Sequence, residues 1–291
     1  MALIVYLRGG GDLASGVALR LHRAGLRLLI AELPQPLAVR RLVSFAEAVY
    51  VQAITVEGVT ARLVGDLAQA MQVLQRGELP VLVDPQGSQL PALCSRQPDP
   101  VVLVDGRMTK QAPESDLGSA DLVIGLGPGF VAGRNCHAAI ETNRGHSLGR
   151  VIWQGAPQPD TGVPEGLPSG RGVTLSPAGR VLRAPVEGIL EAITQIGEHV
   201  EAGQVVASVA GHPIQAPFKG VLRGLLHAGV PVWPGLKVGD VDPRDDPRYC
   251  STVSDKALAI GGGVLEAILS RPELRERLWE PQISETIHAS D

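Results

Sequence analysis

Short apolar runs alternate with stretches of helical character along the first half of the chain. The runs are LIVYL, LLIAEL, VLVD, VVLVD, LVIGLG and RVIW, and all of them lie before residue 155. Strands that are apolar on both faces are typical of a parallel sheet with helices on both sides. The pattern therefore predicts an α/β domain with a Rossmann-like parallel sheet over residues 1–154.

The pattern changes after residue 154. Residues 155–180 begin with GAPQPDTGVPEGLPSGRG, which is rich in proline and glycine and has no apolar periodicity. Such composition is typical of a linker or a long excursion from a domain. We therefore expect a domain boundary here.

An internal repeat follows the predicted linker. APVEGIL begins at Ala184 and APFKGVL begins at Ala216, and the same offset aligns glycines and valines further along the chain. Two copies are too few for a solenoid, so the pattern predicts two interlocking β units. Residues 181–241 resemble the all-β barrel-sandwich hybrid of biotinyl/lipoyl type. The hairpin tip that presents a modified lysine in such carriers is VAGHPI here, so we expect a structural or docking role instead.

Residues 242–291 are predicted to form a helical segment that packs back on the α/β domain. Ser254 is a candidate N-cap for a helix that continues to Leu269. Gly261, Gly262 and Gly263 interrupt this helix, and each costs about 1 kcal/mol relative to alanine. Either close helix packing or a nearby ligand is expected to offset this loss of helix stability.

Composition narrows the class of protein. A net charge of −4 and an aromatic content of 3% provide neither a basic surface nor a stacking platform for nucleic acid. No apolar run approaches the ~20 residues that span a bilayer, and the first residues predict a strand rather than a signal peptide. Three widely spaced cysteines without a CxxC motif favour a reducing, cytoplasmic location. A homo-oligomer is left open.

A glycine-rich turn, RGGGD, follows the first predicted strand. Gly9 and Gly11 fit the start of a G-x-G-x-x-A pattern, with Gly10 between them, and Glu32 ends the next strand where an acidic residue meets a ribose hydroxyl. These residues predict a site for NAD(P) or another nucleotide. Asp12 complicates the prediction, because its carboxylate at the helix N-terminus could itself cap the N–H groups that a pyrophosphate would use. A self-capped structural turn is the alternative.

A second glycine-rich stretch, GPGFVAGRNCHAAIETNRGHSLGR, follows the apolar run LVIGL. Gly127, Gly129 and Arg144 are candidates for holding an anion, because the carboxyl ends of strands are where open α/β sheets bind ligands. Asp105 and Arg107 follow VVLVD at the same expected edge. A glycine turn with solvated arginines, and an ordinary salt-bridged loop, are the structural alternatives.

Cys136 and His137 are neighbours in this stretch. A histidine that contacts a thiol can lower its pKa, although adjacent residues on a strand point to opposite faces. A reactive or persulfide-bearing cysteine and a small buried hydrophobe are both open. His137 and Glu141 could share one face as metal ligands, but no second clustered pair accompanies them, so no metal site is predicted.

Seven segments, in order, resemble the signature blocks of the selenium-dependent molybdenum hydroxylase accessory (system) proteins. They are RGGGDLASGVALRLHRAG, LAVRRLVSFAEAVY, VDGRMTK, GLGPGFVAGRNCHAAIETNRGHSLGRVI, RVLRAPVEG, VGDVDPR and SDKALAIGGGVLEAIL. The resemblance implies a role in maturing a molybdenum hydroxylase. The implied partners are the hydroxylase apoenzyme or other maturation factors.

Maturation of such an enzyme has two chemical requirements. A polyanionic pterin phosphate suits glycine N–H groups and arginines, and delivery of sulfur or selenium suits a thiolate. We therefore expect a nucleotide or molybdopterin-type cofactor at the glycine and arginine positions above, with Cys136 or Cys250 as the chalcogen carrier. A non-catalytic chaperone and an NAD(P)-linked oxidoreductase are the alternatives, and whether any reaction is catalysed is left open.

Overall fold

The computed structural model describes residues 3–96, 99–109, 111–160 and 177–278. Most of the predicted linker and the last thirteen residues of the predicted C-terminal segment lie outside these ranges. None of the described helices is long and apolar enough to cross a membrane.

Nine strands of the described residues form one sheet in the first half of the chain. Their order across the sheet is β3-β4-β5-β2-β1-β6-β7-β8-β9. Neighbours pair in parallel except at the two edges, where β3–β4 and β8–β9 are antiparallel. The strands are β1 (Ile4–Arg8), β2 (Arg27–Glu32), β3 (Ala53–Val56), β4 (Val59–Val64), β5 (Leu79–Val83), β6 (Val101–Asp105), β7 (Leu122–Leu126), β8 (Ala138–Ile140) and β9 (Val151–Ile152).

Helices cover both faces of this sheet, because successive side chains of a strand point to opposite sides. The α-helices are α1 (Asp12–Arg23), α2 (Ala48–Val51), α3 (Leu67–Gln75), α4 (Gln89–Arg96), α5 (Arg248–Ser251), α6 (Asp255–Leu269) and α7 (Pro272–Leu278). In β1, Val5 and Leu7 join a core with α1 and α6, whereas Ile4 and Tyr6 join a core with α3 and α4.

The predicted α/β class is confirmed, since each of the six apolar runs overlaps a strand of the sheet. RVIW differs from the prediction in one respect, because β9 is a two-residue antiparallel edge strand. The sequence analysis did not predict the hairpin of β3 and β4. Its turn has positive φ at Glu57 and Gly58, so the Glu-Gly pair between two β-rich runs could have indicated a hairpin.

The glycines of α6 allow close packing rather than interrupting the helix. Ser254 caps α6 as predicted, accepting a hydrogen bond from the Ala257 N–H. A Cβ at Gly261 would lie 2.7 Å from the Gly16 carbonyl oxygen of α1, and one at Gly263 would lie 2.1 Å from the Gly149 carbonyl oxygen. At two of the three glycines, close packing of α6 against neighbouring backbone therefore offsets the cost of glycine in a helix.

Two four-stranded antiparallel sheets, called the β unit below, contain the internal repeat. The short strand of each copy pairs with the other copy: Gly188 lies opposite Val232, and Gly220 opposite Val200. The predicted interlocking of the copies is therefore present in the strand pairing. The strands are β10 (Val181–Arg183), β11 (Gly188–Ala192), β12 (His199–Val200), β13 (Val205–Val209), β14 (His212–Gln215), β15 (Gly220–Leu225), β16 (Pro231–Val232) and β17 (Lys237–Asp242).

The segment after β2 joins the sheet to the β unit. Arg41 donates from Nε to the Leu225 carbonyl oxygen at 3.0 Å. Tyr50 stacks on His227 with ring centroids 4.2 Å apart. Val39 packs closely on Gly224, since a Cβ added at Gly224 would lie 2.7 Å from Val39 Cγ1. These contacts hold the β unit beside the carboxyl edge of the central sheet.

Candidate functional site

A cavity of about 1130 Å³ lies between the carboxyl edge of the central sheet and the β unit. Typical ligand pockets have volumes of ~300–1,000 Å³, so this one can hold a cofactor-sized molecule. Residues that follow β1, β2, β6 and β7 line one side, and residues of β15, β17 and the start of α6 line the other. The predicted ligand edge of the sheet is thus where the cavity lies.

The glycine-rich turn after β1 is held by Glu32. The Gly10 N–H donates to Glu32 Oε2 at 2.6 Å and the Leu33 N–H to Oε1 at 2.7 Å. Burial raises the pKa of Glu32, against the opposing effect of these two hydrogen bonds. Gly9, Gly11 and Glu32 line the cavity. Gly10 does not line it, and a Cβ there would lie 2.8 Å from the Ala46 nitrogen, so its small size serves packing.

Asp12 does not cap α1, which contradicts the alternative in which its carboxylate caps the helix N-terminus. The N-cap residue is Gly11, without a side-chain cap among the described residues. The Asp12 carboxylate instead accepts from Arg40 Nη1 at 2.9 and 3.1 Å. Arg40 Nη2 also donates to the carbonyl oxygens of Tyr249 and Thr252. Asp12 and Arg40 therefore form an ion pair, and both residues line the cavity.

Arg107 lines the cavity with a carboxylate behind it. Its Nε and Nη2 donate to the two oxygens of Asp105 at 3.0 and 2.7 Å, and Nη2 also donates to Glu114 at 2.7 Å. The hydrogen bond from Arg107 lowers the pKa of Glu114 to about 2. Asp105 is buried and does not line the cavity. It positions Arg107 rather than contacting a ligand.

Gly127 and Gly129 have a packing role, because neither lines the cavity although Pro128 between them does. Both have positive φ, and a Cβ would lie 2.4 Å from Thr142 Oγ1 or 2.3 Å from the Gln111 carbonyl oxygen, respectively. These contacts do not support the predicted anion cradle at the two glycines, since their turn is filled by the protein itself.

Arg144 reaches the cavity from the same stretch. Its Nη1 and Nη2 donate to the two oxygens of Asp255, the first residue of α6, at 2.6 and 2.9 Å. The hydrogen bond from Arg144 lowers the pKa of Asp255 to about 2. Arg144 is therefore an ion-paired residue at the cavity rim.

The cysteines and His137 do not line the cavity. Cys136 is fully buried in the core on the α3 and α4 side of the sheet, and burial raises its pKa to about 11. His137 Nδ1 accepts from the Val123 N–H at 2.9 Å, so this nitrogen is used within the fold. Cys250 is also buried, which raises its pKa. The predicted chalcogen carriers therefore lack both the access and the thiolate character that the role requires.

Four cations on or next to the β unit line the cavity, and the sequence prediction missed them. Arg223 and Lys237 lie on β15 and β17, and Arg180 and Arg244 flank the β unit; these four residues are called the cationic wall below. The available signal was the strand KVGDVD, where two aspartates interrupt an apolar alternation.

Buried carboxylates hold the cationic wall from behind. Asp240 accepts from Arg180 and, at 2.8 Å, from Arg223 Nε. Asp242 accepts from Arg244 Nε at 2.9 Å and Nη2 at 2.5 Å. Both aspartates are fully buried and neither lines the cavity. The positive groups therefore face the cavity, while the carboxylates that fix them do not.

Metal binding has no geometric support in the described part of the chain, where no cluster of three or more His, Cys, Asp or Glu side chains could hold an ion. His137 and Glu141 do not form a site together there. Glu141 accepts instead from the backbone N–H groups of Asn143 and Gln158.

Comparison with known proteins gives a relative at the sequence level. The chain is 47% identical over 266 residues to the uncharacterized protein YqeB of Escherichia coli (strain K12). The match covers 91% of this chain and 47% of that protein, so the chain spans about half the length of this relative. No family model matches the chain.

At the structural level, the chain is similar to the crystal structure of an aspartoacylase family protein from Mesorhizobium loti. The match covers 82% of this chain and 84% of that chain, at 11% identity and a TM-score of 0.25. A similarity this low carries no argument about fold or function. The function is therefore argued from the site.

Proposed function

We propose that the chain is an accessory protein in the maturation of a molybdenum hydroxylase, and that it holds an anionic cofactor in the cavity. The cofactor would be a molybdopterin-type molecule or a nucleotide. The expected partner is the hydroxylase apoenzyme or another maturation factor.

The convergence of the seven signature-like segments carries this proposal. They are scattered from residue 8 to residue 269, yet each contributes at least one residue to the lining of the cavity. In chain order, the contributing residues include Gly9, Arg40, Arg107, Arg144, Arg180, Arg244 and Lys256. Six of these seven are cations. Segments that define a family resemblance and meet at one cavity are best explained by a shared ligand.

The chemistry of the lining supports an anionic ligand. Arginine is suited to phosphate and carboxylate groups because its planar guanidinium offers paired donors in a fixed geometry. Arg107 is fixed by the buried Asp105, and Arg244 by the buried Asp242. Side chains that are already fixed lose little rotamer entropy when the ligand binds.

The position of the thiols favours the non-catalytic chaperone over a chalcogen carrier. Cys136 and Cys250 are buried and do not line the cavity, so cofactor binding and presentation are proposed here without a covalent step. An NAD(P)-linked oxidoreductase is disfavoured, since Glu32 occupies the Gly10 N–H at the glycine-rich turn.

The finer fold assignment belongs to the same proposal. A Rossmann-like α/β domain is supported by the parallel order β5-β2-β1-β6-β7 and by α1, which connects β1 to β2. A barrel-sandwich-hybrid-like β domain is supported by the exchange of short strands between the two copies of the repeat. We propose that this domain also docks on the hydroxylase. Its exposed Ile193 and Trp233 support that role.

Purification from the native host tests the proposal. Mass spectrometry of the molecule released on denaturation is expected to detect a phosphorylated cofactor or nucleotide in near-stoichiometric amount. In a strain that lacks the chain, the hydroxylase is expected to be made but inactive, and activity should return with the wild-type gene. Full hydroxylase activity and cofactor content in the deletion strain would refute the maturation role.

A further inference from the structure

We infer that the phosphate group of the ligand binds at the cationic wall of the β unit, and not at the glycine-rich turn after β1. This inference rests on the proposed function, because it places one chemical group of the ligand within the same cavity. It assigns the β unit a part in ligand binding that its resemblance to carrier domains does not suggest.

The charge of the lining side chains is the first support. Among the described residues, Asp240 and Asp242 pair with the four cations of the wall. Neither aspartate lines the cavity, whereas all four cations do. The wall therefore presents cations to a ligand, and a phosphate group is a complementary partner for them.

The environment of the wall is the second support. The side chains of Arg180 and Arg223 are only 11% and 12% exposed, and both meet the fully buried Asp240. The Lys237 side chain is 42% exposed, so this cation is accessible to a ligand. An anion that binds beside the two buried arginines supplies the interaction that water does not, and low solvation strengthens each ion pair.

The glycine-rich turn is the weaker phosphate site. A pyrophosphate at such a turn uses backbone N–H groups at the start of the helix. Here the Gly10 N–H already donates to Glu32 at 2.6 Å. A phosphate in that position would lose this donor and lie beside a carboxylate, and the repulsion between like charges opposes binding.

A bound ligand would therefore bridge the two halves of the molecule. Its phosphate would lie against β15 and β17, and the rest of the molecule would extend toward Gly11, Glu32 and Arg107, which line the opposite side. Binding would then stabilise the contact between the β unit and the α/β domain.

Isothermal titration of the full chain with inorganic pyrophosphate tests the position of the phosphate. Lys237→Gln is expected to weaken binding about tenfold or more, since a hydrogen bond to a charged group contributes roughly 1.5–3 kcal/mol. Lys237→Arg keeps the charge and should bind within a few-fold of wild type. The matched control is Lys219→Gln, an exposed lysine of the same β unit that pairs with Glu201; it should bind as wild type does.

Gly11→Ala reports on the alternative position. Its added Cβ would meet no atom within 4 Å, so the fold tolerates it, whereas a phosphate on the turn would contact it. Lost affinity in Gly11→Ala with unchanged affinity in Lys237→Gln would overturn the inference, and so would the absence of pyrophosphate binding by wild type at millimolar concentration.

A measurement without substitutions covers the case in which Lys237→Gln unfolds. Acetylation of wild type, followed by peptide mass spectrometry, should show that pyrophosphate protects Lys237 but not Lys219. Equal modification of Lys237 with and without pyrophosphate would overturn the inference. A hydroxylase that matures without the chain would refute the proposed function but would leave the pyrophosphate results unchanged, so the two failures are distinguishable.

Discussion

Alanine substitution of two neighbouring glycines in α6 is predicted to have different effects on stability, with only Gly262→Ala more stable than wild type. Gly262 has no atom within 4 Å of an added Cβ. At Gly263, an added Cβ would lie 2.1 Å from the Gly149 carbonyl oxygen. That oxygen belongs to the backbone of a loop next to β9, so relief of the clash requires the loop or the helix to move.

The magnitude follows from two terms. Both variants gain the helix preference of alanine over glycine, about 1 kcal/mol. Gly263→Ala also pays for overpacking, which typically costs about 1–3 kcal/mol. Because the helix term is common to both, the difference between the variants isolates the packing cost. Gly262→Ala should thus be about 1 kcal/mol more stable than wild type, and Gly263→Ala about 1–3 kcal/mol less stable than Gly262→Ala.

Urea unfolding followed by circular dichroism measures this difference, with thermal unfolding as a second readout. For a chain of this size, 1 kcal/mol corresponds to a shift in Tm of about 2–4 °C. Equal stability of the two variants would refute the argument that α6 can pack this closely against the Gly149 backbone because residue 263 has no side chain. The expected order is Gly262→Ala above Gly263→Ala in both readouts.

Three further predictions concern titration, reactivity and a buried hydrogen bond. Arg144→Gln should move the pKa of Asp255 from about 2 toward its ordinary 3.8, as NMR titration would show; in wild type, this pair stabilises the fold above pH ~3.8 and its contribution is lost as the pH falls toward 2. Iodoacetamide at pH 8 should leave Cys136 unmodified until urea is added, because the thiol is buried with a pKa of about 11; peptide mass spectrometry would detect modification of the folded protein, which would contradict the burial. Tyr6→Phe removes a 2.5 Å hydrogen bond to the Asp84 carboxylate and should lower the free energy of unfolding by about 1.5–3 kcal/mol; an unchanged urea midpoint would contradict this.

Much of the sheet was predictable because its signal is local. The strands β1, β2, β6 and β7 are continuous apolar runs, and their carboxyl ends meet at one edge in any parallel sheet. That rule alone predicted that Gly9, Gly11 and Arg107 lie at the same edge of the sheet, and in the structure all three line the cavity there. It did not predict β8, whose three residues lie in a stretch dominated by glycine and polar residues.

The partners of the site residues were not predictable, because they depend on the packing of distant segments. Asp12 pairs with Arg40, 28 residues away, a partner that the local sequence does not reveal and that rules out the alternative of a cap by Asp12. The orientation of Cys136 depends on which face of the sheet it joins, and sequence adjacency to His137 does not determine that. The cationic wall enters the cavity only because the β unit docks beside the central sheet, through contacts such as that between Arg41 and Leu225.

A crystal structure of the chain with its co-purified ligand would show directly where the phosphate binds. We expect a phosphate within hydrogen-bonding distance of Lys237 and Arg223, with the hydrogen bond from Gly10 to Glu32 still in place. A phosphate against the N–H groups of Gly9 to Gly11, with the Glu32 carboxylate displaced, would contradict this expectation.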